Sequence, residues 1–201
     1  MRRLVLLRHG ETTGDSGSRY HGSGDLDLSP SGREQMRLVA GKLRWEGFDV
    51  VASSPLRRAW QSAWILAEGR PVRLVNGFRE IHFGRWEGLT REEIKASDPI
   101  LFEDWDTGAP GFEYPGGEPR AEFRARVESG LGELARSPGH AALVVAHKGV
   151  IRTVCEILTG EKPPGGGPGL AEFVELTAEP GGLWIAGRHS SNPPALEEDA
   201  A

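Results

Sequence analysis

Short apolar runs that alternate with helix-spaced segments constrain this chain more than any other feature of its sequence. The runs are Leu4–Leu7, Phe48–Ala52, Val72–Val75 and Ala142–Ala146. Each has strand length, and the segments between them place apolar residues on one helical face. Ser29-Pro30 supplies a helix N-cap followed by proline at the first helical position, and Met36, Val39, Ala40 and Leu43 then share a face. Ser54-Pro55 is read as opening a second helix to about Ala67. Arg120 to Arg136 reads as a longer helix striped by Phe123, Val127, Leu131 and Leu134. Ala142–Ala146 is apolar throughout, as a strand buried on both faces should be, and a helix follows it to about Leu158.

This alternation predicts an α/β chain, with a mostly parallel sheet as the middle of three α/β/α layers. Phe173–Leu176 and Leu183–Ala186 add an expected closing hairpin. Residues 77–118, which include a Pro-Gly-Gly turn at 115–117, and the Gly-Pro cluster 163–169 are expected to be looser. With no repeat and no interdomain linker, residues 1–189 are expected to form a single domain and 190–201 a frayed tail.

A chain of 201 residues can bury roughly 70% of its unfolded surface, so the core needs neither disulfide nor metal. The single cysteine, Cys155, lies in an apolar stretch and reads as a packed thiol, in keeping with a reducing compartment. The apolar run after Met1-Arg2-Arg3 stops at Arg8, too short for a signal peptide or a membrane span, so a soluble, cytoplasmic protein without a membrane partner is expected. A formal net charge of −5 argues against a nucleic-acid partner, because binding a phosphate backbone needs a basic face.

In open parallel sheets, ligands bind beyond the carboxyl ends of the strands. Three such ends are polar and basic here: Arg8-His9-Gly10-Glu11-Thr12, Ser53-Ser54-Pro55-Leu56-Arg57-Arg58 and His147-Lys148-Gly149. Forked, permanently charged arginines and helix N-termini suit a tetrahedral dianion. A neutral imidazole among them is a nucleophile for phosphorus, and nearby cations keep it neutral. Which of Arg57 and Arg58 takes part is not decided by this reading of the residues.

The ordered set of motifs resembles the histidine phosphatase superfamily, with its phosphoglycerate-mutase-like fold. The resemblance rests on Leu6 to Thr12, Gly22, Asp25, Leu28-Ser29 and Gly32, Ser53 to Ala59, Arg79 to Gly84 with Glu87-Gly88, Pro115 to Glu118, and Val144 to Arg152. It implies that His9 is the phosphorylated nucleophile, that Arg8, Arg58 and His147 bind the phosphoryl group, and that Glu80 is the general acid. Arg58 is chosen over Arg57 because the family's arginine directly precedes an alanine. Gly10, His21, Gly22, His82, Lys148 and Gly149 are the implied substrate-binding residues. The implied partner is a small phosphate monoester, with no cofactor and no metal, and a homodimer is compatible with the resemblance.

Two positions depart from the family. Gly14 and Asp15 stand where a Trp-Asn pair is common, and an ionised Asp15 would repel phosphate. Lys148 replaces a common small residue, either adding charge at the site or pointing to solvent. The segment Glu80 to Gly84 is similar to that of alpha-ribazole phosphatases. A mutase is the rival activity, disfavoured because residues 90–118 have only Arg91 and Lys95 as basic residues against an acidic majority. A non-catalytic phosphate-binding module should have lost a catalytic position, and none is missing. A metal-dependent hydrolase is disfavoured because the six histidines show no compact ligand spacing.

Overall fold

The structure, a computed structural model, describes residues 1–43 and 47–189; the tail expected at 190–201 lies outside the described residues. Six strands, β1 (Arg3–Arg8), β2 (Val50–Ser53), β3 (Val72–Leu74), β4 (Ala141–Ala146), β5 (Phe173–Ala178) and β6 (Trp184–His189), form one sheet in the order β3-β2-β4-β1-β5-β6. The first four in that order run parallel, β5 is antiparallel to β1, and β6 closes the expected hairpin with β5.

The period-two alternation of the strands sorts their side chains into two cores. Leu4 and Leu6 of β1 and Ala142, Val144 and Ala146 of β4 face one side, where α5 (Arg120–Ala135) packs Phe123, Val127 and Leu134 and α6 (Lys148–Thr159) packs Val150, Ile151 and Val154. Val5, Leu7, Leu143 and Val145 face the other, against Met36 and Val39 of α1 (Pro30–Lys42) and Ala59, Ala63 and Leu66 of α2 (Arg57–Ala67). The expected three layers result. All six residues of β4 are buried, in agreement with its unbroken apolar sequence, and Cys155 lies in the α6 core with its thiol pushed up to about 12 by burial.

Two expectations need correction. Ser54-Pro55 does not start α2, which begins at Arg57; the Ser54 hydroxyl instead accepts from the Leu56 amide at 3.2 Å. The first amide of the helix donates to Asp25 Oδ1 at 2.6 Å, so the cap comes from the loop after β1. Residues 77–118 hold two helices, α3 (Arg91–Ser97) and α4 (Pro99–Thr107). A capping box of Thr90 and Glu93 starts α3, and Pro99 starts α4. Trp86, Ile94, Phe102 and Phe112 form a separate small core beneath them.

The turn after β1 rests directly on the start of α1. A Cβ on Gly32 would lie 2.1 Å from the Glu11 carbonyl oxygen, and one on Gly10 would lie 2.6 Å from the Gly32 carbonyl oxygen. Both obstacles are backbone, which cannot rotate away. Gly41, in the same helix, has open space around it. Gly32→Ala should therefore destabilise the protein by about 1–3 kcal/mol or more, as overpacking does. Gly41→Ala should stabilise it by about 0.5–1 kcal/mol through the lower entropy of its unfolded chain. Urea midpoints at constant slope check both, and a Gly32→Ala protein as stable as the parent would contradict this packing.

Candidate active site

Strands β2, β4 and β1 are neighbours, so their carboxyl ends bring Ser53-Ser54, His147 and Arg8-His9 together. His9 is 5% exposed, and its ring centroid is 5.2 Å from that of His147. The Nδ1 of His9 lies 2.7 Å from the Gly10 carbonyl oxygen. A carbonyl can only accept, so Nδ1 carries the hydrogen and Nε2 keeps the lone pair. That lone pair receives the Arg58 Nε–H at 3.2 Å. Burial, then Arg58 and Arg8, hold the His9 pKa well below the ordinary histidine value, which keeps the ring neutral.

Arg58 is 1% exposed, while its neighbour Arg57 is half-exposed and pairs with Asp27 at 2.9 Å. Helical geometry turns consecutive residues to different sides, and only Arg58 points into the site. Its NH1 donates to the Gly24 carbonyl at 2.5 Å, and its NH2 to the carbonyls of Gly22 at 2.6 Å and His21 at 3.2 Å. Burial draws its pKa down to about 10, so it remains a cation at neutral pH. Arg8 is deeply placed as well, with one long bond from NH1 to the Pro168 carbonyl at 3.4 Å and a buried Nε that has no partner among the described residues.

His147 Nε2 is 2.9 Å from Ser54 Oγ. That hydroxyl accepts from the Leu56 amide, and where it gives its own proton to Nε2 the hydrogen of His147 falls on Nδ1. Nδ1 is buried without a partner among the described residues. Burial, followed by Arg58 and His9, lowers the His147 pKa well below normal, so this ring is neutral.

Glu80 is 7% exposed, and its carboxylate accepts from the Ile81 amide at 3.1 Å and the Gly149 amide at 3.0 Å. Burial raises its pKa; those two amides, Arg58 and Arg8 oppose the shift without reversing it. Gly149 is required for this approach, since a Cβ there would lie 2.4 Å from Glu80 Oε1.

Arg8, His9, Arg58 and Glu80 open onto a cavity of about 400 Å³, whose walls also include His21, Lys148 and Gly149. The amides of the three implied glycines are engaged within the protein: Gly10 with Ser62 Oγ, Gly22 with Glu87 and Gly149 with Glu80. They shape the site through backbone packing. His21 bonds through Nε2 with the Gly14 carbonyl oxygen. His82 is not brought in: it is exposed, and its Nδ1 accepts from the Gly84 amide at 3.1 Å. Asp15 is exposed and accepts from Ser18.

Ser54, Ser62 and Arg152 were not singled out from the sequence as parts of the site. The proximity of Ser54 to a strand end is the available signal for the first, and Arg152 closes the Val144 to Arg152 motif; nothing local distinguishes Ser62. Trp105 and Tyr114 line the cavity, while Trp86 and Phe112 belong to the small core.

The model of the histidine phosphatase superfamily (branch 1) matches residues 4–186. The chain is 35% identical to glucosyl-3-phosphoglycerate phosphatase from Mycobacterium tuberculosis, with 92% of this chain and 88% of that one covered. It is 35% identical to phosphoserine phosphatase 1 from Hydrogenobacter thermophilus, over 79% of this chain and 77% of that one. A crystal structure of a putative alpha-ribazole-5'-P phosphatase from Escherichia coli superposes with a TM-score of 0.81 at 25% identity, covering 98% of this chain and 99% of that one. With its buried histidine pair, its two site arginines and a family match that spans the sheet, this chain belongs to the histidine phosphatase superfamily.

Proposed function

We propose that this protein hydrolyses phosphate monoesters of small metabolites through a phosphohistidine formed on His9. The observation that carries the reading is the tautomer of His9: Nδ1–H is fixed on the Gly10 carbonyl, so the lone pair of Nε2 faces the arginines. Arriving phosphate would draw the Arg58 Nε–H from Nε2 to a phosphoryl oxygen, freeing the nucleophile as the substrate is bound. Arg8, Arg58 and the His147 Nδ1–H would share the charge of the three non-bridging oxygens. In this scheme Nε2 bonds to phosphorus as the ester P–O bond breaks, and the leaving alkoxide takes the Glu80 proton. Water then attacks phosphorus, gives its proton to Glu80, and releases inorganic phosphate with neutral His9.

Phosphatases that act on glucosyl-3-phosphoglycerate and phosphoserine by name support hydrolysis of small esters, as does the likeness to an alpha-ribazole-5'-P phosphatase. Among the described residues, no helix is long and apolar enough to cross a membrane. A cytoplasmic setting and a homodimer are the remaining parts of the proposal, the latter to be checked by light scattering.

The general acid can be separated from phosphate binding by the choice of leaving group. Such an acid contributes about 10²–10⁴-fold, and most where the leaving alkoxide is strongly basic. Glu80→Gln should slow hydrolysis of alkyl phosphates far more than that of p-nitrophenyl phosphate, in single turnovers that isolate the phosphorylation of His9. Arg58→Ala should slow both alike. Equal loss for both esters in Glu80→Gln would remove Glu80 from this role.

The pH profile follows from the same groups. His9 must be neutral, and its lowered pKa keeps it so well below the ordinary histidine range, where the acidic limb falls. Glu80 must be protonated, and its raised pKa moves the loss of that proton to higher pH. kcat/KM for an alkyl phosphate should therefore fall as pH rises through the Glu80 pKa. That alkaline limb should disappear in Glu80→Gln, and its persistence there would assign it to another group.

A further inference from the structure

Six cationic side chains line the catalytic cavity: Arg8, Arg19, Arg58, Arg91, Lys148 and Arg152. Two are matched by carboxylates, Arg19 by Glu93 at 2.8 Å and Arg91 by Asp106 at 2.5 Å. Arg8 and Arg58 flank His9 and suffice for a phosphoryl dianion. Lys148 and Arg152 remain, and among the described residues neither side chain has an ion pair or a hydrogen bond. Of the nearby acids, Glu172 accepts from the Gly169 amide and lends its field to Lys148, and Glu156 lies 4.0 Å from Arg124.

The two cations act from one place. They are four residues apart in α6, so they stand one above the other on the same face. Their stems lie against Gly167, where a Cβ would meet Arg152 Cγ at 3.1 Å and Lys148 Cγ at 3.5 Å. Lys148 is half-buried and lies in the fields of two like charges, Arg8 and Arg152, with the smaller opposing field of Glu172. Arg152 also borders an adjoining groove of about 750 Å³, which meets the catalytic cavity at Ile81, Trp105, Tyr114 and Gly149. An anion held by both cations would therefore belong to the part of the substrate that leads from the phosphoryl group into that groove.

We propose that Lys148 and Arg152 form a subsite for a carboxylate on the alcohol portion of the substrate, so that the preferred esters are phosphorylated hydroxy acids. A planar carboxylate matches the guanidinium fork, and the ammonium supplies a second, more compact charge on its other oxygen. The proposal rests on the phosphatase reading and adds a substrate class to it. An uncharged alcohol would leave Lys148 and Arg152 beside two more arginines, with Glu172 as the carboxylate in the field of Lys148.

The matched probes are 3-phosphoglycerate and glycerol 3-phosphate, which differ by a carboxylate in place of a hydroxymethyl group. Their Ki values as competitors of p-nitrophenyl phosphate hydrolysis give the preference, whether or not either is itself turned over. The parent protein should bind the acid at least about tenfold more tightly, and Lys148→Met and Arg152→Met should each reduce that ratio by about tenfold. Methionine keeps an apolar stem against Gly167 and removes the charged head group with its donors. A parent ratio near one, or a ratio unchanged in both variants, overturns the subsite. An equal loss of both esters does so too, since it would place the two cations on the phosphoryl group. Failure of the phosphatase reading has a separate signature, the absence of p-nitrophenyl phosphate hydrolysis. In that event calorimetric binding of the two esters still decides the subsite.

Discussion

The buried guanidinium of Arg58 is the constraint around which the site is arranged. A cation at 1% exposure is tolerable only if its donors are satisfied, and three carbonyls of the loop after β1 satisfy them while Nε reaches His9. The loop is held to that shape from several directions. Asp25 caps α2 at the Arg57 amide, the Gly22 and Ser23 amides donate to Glu87, and Gln61 bridges Asp27 and the Leu28 amide. One charge thus couples the loop, the start of α2 and the segment around Glu87 to His9.

The same burial sets the protonation states that phosphoryl transfer needs, and it does so in opposite senses. Desolvation disfavours the charged form, which lowers the pKa of His9 and His147 and raises that of Glu80. A neutral imidazole on His9 and a protonated carboxyl on Glu80 are therefore favoured in one cavity. The arginines strengthen the effect on the histidines and oppose it on Glu80, so the carboxyl group remains able to exchange its proton. The backbone amides of Ile81 and Gly149 fix its position at the same time.

Much of this was legible in the sequence because the strands are short, apolar and end in charged residues. The layers, the buried β4, the closing hairpin and the convergence of the strand ends that carry His9, the Arg57-Arg58 pair and His147 all follow from that pattern. The choice between Arg57 and Arg58 needed either the family resemblance or the helix geometry, which turns one into the site and the other toward Asp27. The α3 and α4 helices were not seen because their cohesion comes from a small aromatic core assembled from several segments. Their caps were present all the same, in Thr90 with Glu93 and in Pro99. His82 was placed in the site by its neighbours in the motif, yet its ring turns outward to the Gly84 amide. Arg152 closes the last motif, but its place on the cavity wall depends on where α6 meets the loop at Gly167.

The central claim is that phosphate passes through His9. The most direct measurement is rapid acid-free quenching of the protein with a ³²P-labelled ester, followed by peptide mapping of the bound label. The account predicts an acid-labile, alkali-stable phosphate on the peptide that contains His9, formed before steady state and absent from His9→Ala. Label on a different residue, or an unaltered burst of alcohol release from His9→Ala, would contradict it.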